Sequence, residues 1–148
     1  MPAKQTLEEK LETAAESILS ALVGLPEGLG FHRAFDADEI GELAVLISAQ
    51  DGGVPPDEAS IEPTGNRLLM LGVSVKCPSD FGRAEHNELA GKIKDALMTD
   101  SIAADLTAGA EGLTVQYFRP VDVARSANDQ SFTSVITAEV WAAPADFE

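Results

Sequence analysis

The chain is 148 residues long, 45% apolar and 24% charged, the make-up of one ordinary globular domain able to bury a core without disulfides or metals. Its single cysteine, Cys77, excludes an internal disulfide framework and fits a reducing compartment. The net charge of −15 argues against specific phosphate binding, and no run reaches the roughly 18 apolar residues of a membrane span.

The charge is unevenly spread. Residues 1–66 hold 13 acidic and 3 basic side chains, whereas residues 67–148 hold 12 and 7. Between Arg33 and Arg67 there is no Lys or Arg, while Asp36, Asp38, Glu39, Glu42, Asp51, Asp57, Glu58 and Glu62 fall inside the gap. Such a run is either a solvated, solubilising face or an acidic collar that meets a basic partner or lines a passage to which DNA must not stick. The polar stretch Met1–Lys10 lacks the apolar core of a secretion signal, so no secretion is expected.

In chain order, Thr6-Leu7-Glu8-Glu9 reads as a capping box. Leu7, Leu11, Ala14, Ala15, Ile18, Leu19 and Leu22 follow at helical spacing, and Gly24, Pro26 and Gly28 stop the pattern. A helix over 7–22 is predicted. Residues 23–42 are ambiguous, with Phe31 and Phe35 as candidates to dock on the core. Asp36–Glu42 begins like a calcium loop, but the twelfth position is Ile47 instead of Glu, so that template fails. Leu43, Val45, Ile47 and Ala49 alternate as a mostly buried strand that ends at Asp51-Gly52-Gly53. The segment Asp51–Asn66, with three prolines and three glycines, is long for a connection inside a compact domain.

A second strand is expected over Arg67–Cys77, with Leu69, Leu71, Val73, Val75 and Cys77 on its core face. Gly72 inside it suggests a bulge or a close backbone approach. Ser79 or Asp80 can cap a helix over Phe81–Thr99 whose stripe is Leu89, Ile93 and Leu97. Ser101 or Asp100 caps a short helix to Leu106. Leu113–Val123 forms the next strand, with Leu113, Val115 and Tyr117 inward. Pro120 demotes its middle to an edge or a bulge, because it cannot donate to a ladder. After a polar turn at Ser126–Gln130, Phe132–Ala142 forms the last strand, with Ile136 and Val140 on one face and Val135 and Trp141 on the other.

These elements predict an α+β fold. It is a small mixed, mostly antiparallel sheet of about four strands, with one long helix on a face and an N-terminal helix, in the order α-β-β-α-α-β-β over one domain, 1–148.

Chemistry-bearing patterns are sparse. His32, His86 and Cys77 lack the paired spacing of a zinc site. Cys77 with a histidine is in principle a nucleophile pair, but a lone Cys on the apolar face of a strand is more often a small core residue. No P-loop, G-x-S-x-G or G-x-G-x-x-G is present, and abundant carboxylates select no catalytic pair. Neither catalytic residues nor cofactors nor metals are expected. Trp141 is either a sheet-covering aromatic or an anchor at a subunit contact.

The segment TGNRLLMLGVSVKCPSDFGRAEHNELAGKIKDALMTDSIAADLTA resembles the middle of the tail terminator, or tail completion, proteins of long-tailed bacteriophages. EGLTVQYFRPVDVARSANDQSFTSVITAEVWAAP resembles that family's closing hairpin, and FHRAFDADEIGELAVLISA its opening. The resemblance spans roughly residues 31–143 and rests on small and apolar residues. It implies a virion protein, made in the host cytoplasm, that forms a homo-oligomeric and commonly hexameric ring. The ring caps the tail tube, stops its growth and docks the head connector, while DNA passes without specific binding. The implied partners are further copies of the chain, the tail tube protein and the connector protein. A position in the head-side neck is the nearest alternative, and a stand-alone ligand-binding or enzymatic domain a more distant one. From the residues themselves, the expected contacts are Asp51, Pro55, Pro56, Asp57 and Glu58 in the long segment, Pro120 in the interrupted strand, and Trp141.

Overall fold

A computed structural model describes residues 6–33, 43–53, 67–127 and 131–144. The Thr6 capping box forms as its residues require: Thr6 Oγ1 accepts the Glu9 amide at 3.2 Å, and the Glu9 carboxylate accepts the Thr6 amide. It opens α1 (Leu7–Ser20), which buries Leu11, Ala14, Ala15 and Leu19. The helix ends two residues earlier than the spacing predicts, with Ala21 as its C-cap.

Among the described residues five strands follow: β1 (Gly30–Arg33), β2 (Ala44–Gly53), β3 (Arg67–Pro78), β4 (Leu113–Ala127) and β5 (Ser131–Pro144). Between β3 and β4 lie a 3-10 turn (Ser79–Phe81), α2 (Arg83–Ala96) and α3 (Ile102–Gly109). The sheet runs β1-β2-β3-β5-β4, parallel between β1 and β2 and antiparallel elsewhere. The α+β class and the mixed, mostly antiparallel character stand as expected. The fifth strand was not expected. Four residues carry no period to read, and β1 exists because Gly30–Arg33 finds hydrogen-bonding partners along Ala44–Ile47.

All three helices pack on one face of the sheet. α1 lies against β2, α2 against β3 and β5, and α3 against α1 and β4. Leu69, Leu71, Val73, Val75 and Cys77 of β3 and Ile136, Ala138, Val140 and Ala142 of β5 all point into this layer and are buried. α2 adds Leu89 and Ile93, with Leu97 at its C-cap, and Phe31 rests against the core from β1. Glu12 is buried among these groups, where its carboxylate accepts the Ala49 amide at 2.9 Å.

Several local expectations give way to tertiary geometry. Gly72 is neither bulged nor crowded. It pairs regularly with Ser48 and Thr137, and a methyl group there would meet its nearest neighbour at an ordinary 3.8 Å. Neither Ser79 nor Asp80 caps α2, because both lie in the 3-10 turn; the N-cap is Gly82, whose φ of 104° favours glycine. Ser101 is the N-cap of α3, but its hydroxyl donates to the Asp105 carboxylate at 2.9 Å instead of serving the backbone. Tyr117 does not point inward. The β4–β5 register shifts between Val115 and Tyr117, and one extra residue transfers the side chains from Tyr117 to Pro120 to the opposite face, until a second shift between Pro120 and Asp122 restores the first facing. Phe118 packs on the core in its place.

Candidate functional site

Among the described residues, the sheet order places β4 at an edge, bonded to β5 alone. Pro120 therefore sits in an edge strand and also beside a bulge, because the register shifts again between Pro120 and Asp122. Both outcomes follow from the missing amide hydrogen. At 15 residues β4 is the longest strand, and everything from Val121 to Ala127 is exposed.

Trp141 points to the face away from the helices, half-buried, with Leu68 of β3 on one side and Tyr117 of β4 on the other as its cross-strand partners. The Tyr117 and Trp141 rings lie 5.4 Å apart at 53°, a tilted aromatic pair. The next row carries Met70, Glu139 and Arg119, with an Arg119–Glu139 ion pair at 3.0 Å. Val135 shares this face but does not extend the Trp141 patch, since Thr137 and Glu139 intervene. Among the described residues, only strands build this side of the sheet. Trp141 was legible from alternation along β5. Tyr117 was not, because only the bulge brings it across.

Of the other expected contacts, Asp51 lies near the end of β2, opposite Leu69. Pro55, Pro56, Asp57 and Glu58, with most of the long Asp51–Asn66 segment, lie outside the described residues.

Cys77, His86 and Ser134 converge from β3, α2 and β5. His86 Nδ1 is 3.0 Å from Cys77 Sγ, and Nε2 is 2.9 Å from Ser134 Oγ. A neutral imidazole donates with one nitrogen and accepts with the other, so either tautomer satisfies both contacts. His86 is 3% exposed, and it also meets the Phe132 ring at 5.8 Å. The arrangement resembles a nucleophile with its base, but its electrostatics run the other way. Burial raises the Cys77 thiol to about 11, and burial, then the positive charge of Arg125, hold His86 below 6.5. Both groups are neutral near pH 7, and Cys77 is 0% exposed. A reactive cysteine needs thiolate character and access, and this one has neither. The cluster's evident work is to tie α2 to the two central strands.

Among the described residues, no group of three or more His, Cys, Asp or Glu side chains is placed to hold a metal ion, and no helix is long and apolar enough to cross a membrane. No protein-family model matches the chain, and no curated protein matches it in sequence.

Proposed function

We propose that this protein acts by assembling with copies of itself, as a ring of the tail terminator kind. In this reading the ring closes a tail tube, ends its polymerisation and presents a surface to the head connector. The observation that carries it is β4, a long edge strand whose outer border is unpaired among the described residues, at the far end of the sheet from the short β1. Free amides and carbonyls along such a border invite a partner chain. The Leu68–Trp141–Tyr117 row adds apolar area on the adjoining face. The two borders of the sheet differ in length and direction of pairing, and a cyclic assembly needs two dissimilar patches that meet head to tail. The resemblance of residues 31–143 to tail terminators supplies the specific assignment. A net charge of −15 on every copy leaves DNA little attraction to such a ring.

The test is direct. Sedimentation over a range of concentrations, then electron microscopy of the protein mixed with tail tubes, should show closed rings and rings seated at tube ends. Labelling the protein in whole particles separates tube end from head-side neck. A chain that stays monomeric and ignores tubes at every concentration would overturn the proposal.

A further inference from the structure

α3 covers only the first half of β4. Beyond it, a trough runs between α2 and the exposed second half of β4, on the helix side of the sheet. Its wider end encloses about 290 Å³, and a second hollow continues it along α2, sharing Asn87, Arg125 and Ser134. Arg83, Asn87 and Lys94 follow one flank of α2 at helical spacing, and Arg125 faces them from β4. Phe132, Val123 and Ile136 contribute apolar surface between these walls. From Arg83 to Lys94 the helix rises about 16 Å, the span of about five residues of extended chain.

The trough is basic in an acidic protein. No carboxylate is among its described lining residues. The opposite flank of α2 carries Glu85, Glu88 and Lys92 instead. Several other cations are engaged: Lys10 donates to the Gly112 carbonyl, Lys92 to the Val23 and Gly24 carbonyls, Arg33 pairs with Glu16 and Arg119 with Glu139. Arg83, Lys94 and Arg125 make no hydrogen bond or ion pair among the described residues. Three cations over an apolar floor fit a short extended stretch of polypeptide in which acids alternate with apolar side chains. A phosphate backbone would leave the floor unused and would meet the repulsion of the rest of the molecule.

We infer that this trough is the socket into which an acidic stretch of a neighbouring copy docks, a claim that rests on the self-assembly reading. Copies with a charge of −15 repel one another, so a contact that brings opposite charges together favours their association beside the β4 border. The trough supplies the positive half. The chain supplies the negative half in the run between Arg33 and Arg67, which holds eight carboxylates and no Lys or Arg.

The experiment compares association constants by sedimentation equilibrium. Arg83→Ala/Arg125→Ala should weaken assembly roughly tenfold or more, an effect that shrinks as salt is raised. Arg83→Lys/Arg125→Lys, which keeps the charge, should stay within about threefold of the parent. Ser20→Glu/Thr99→Glu changes net charge by the same amount at exposed sites outside the trough and should also stay within about threefold. Circular dichroism and thermal melts of each variant separate lost docking from lost folding; if the alanine pair unfolds, the lysine pair against Arg83→Gln/Arg125→Gln makes the same comparison. Assembly that is indifferent to the trough, or equally weakened by the Ser20/Thr99 control, overturns the socket and leaves the ring standing. A parent chain that never associates overturns both. Binding of a DNA duplex that the alanine pair abolishes would also overturn the socket, by making the ligand a nucleic acid.

Discussion

The two halves of β4 bond to the same partner strand and yet live in different surroundings. Leu113 and Val115 are buried beneath α3, while Val123 stands 39% exposed beside the open flank of α2. The ladder is continuous apart from its two bulges, so backbone pairing does not separate the halves. Cover does. A strand is made by hydrogen bonds to its neighbour, and it becomes core or surface according to what packs on its face. In this chain α3 ends at Gly109, and the sheet beyond its reach is left free to meet another molecule.

The sharpest way to break this contrast is to truncate one apolar residue in each half. Leu113→Ala removes a buried side chain and is expected to cost about 3 kcal/mol of unfolding free energy in urea. Val123→Ala, at 39% exposure, should cost no more than about 1 kcal/mol. Equal losses would mean that the second half is covered after all.

Two glycines carry the contrast into the helices. A methyl group at Gly109 would come within 3.1 Å of the Ala14 Cα and carbonyl oxygen, at the seam that holds α3 against α1. Backbone cannot yield as a flexible side chain does, so Gly109→Ala should destabilise by about 1–3 kcal/mol. Gly91, inside α2 on the trough side, has nothing within 4 Å of such a methyl. Gly91→Ala should therefore stabilise by about 0.5–1 kcal/mol through helix propensity alone. Matching signs in the two melting shifts would show that both flanks are equally packed or equally open.

The smallest expected effect is a dependence on pH. His86 is held below 6.5 when folded, first by burial and then by Arg125, and the facing groups are Cys77, Ser134 and Phe132. Unfolded chains therefore bind more protons as the pH falls past 6.5. The contribution of His86 to stability is whole above 6.5 and is lost as the pH falls toward its folded-state value. His86→Gln keeps two polar contacts without a titrating group. Its urea midpoint should fall less steeply than the parent's between about pH 7.5 and 5.5. Identical slopes would place the imidazole in contact with water.

Much of the fold was legible. Alternation alone assigned Leu69, Leu71, Val73, Val75 and Cys77 to one face of β3 and Val140 and Trp141 to opposite faces of β5, because a strand's period of two is a local property. The Thr6–Glu9 box was equally local. Of the candidate surface, Pro120 announced an edge through its missing donor. Arg83, Lys94 and Arg125 announced nothing, since their alignment needs α2 and β4 to be set side by side.

The amino-acid order by itself determined most of the stretches that fold as helix or strand, the apolar side of the long regular ones, and how strongly acidic the chain is, since these follow from local pattern and composition. Only the folded chain decided that Gly30–Arg33 becomes a strand, that Tyr117 crosses to join Trp141, that His86 is sealed between Cys77 and Ser134, and that half of β4 is left uncovered. Each of these depends on partners separated by many residues, where pairing, bulges and helix length set the geometry and local pattern has no say.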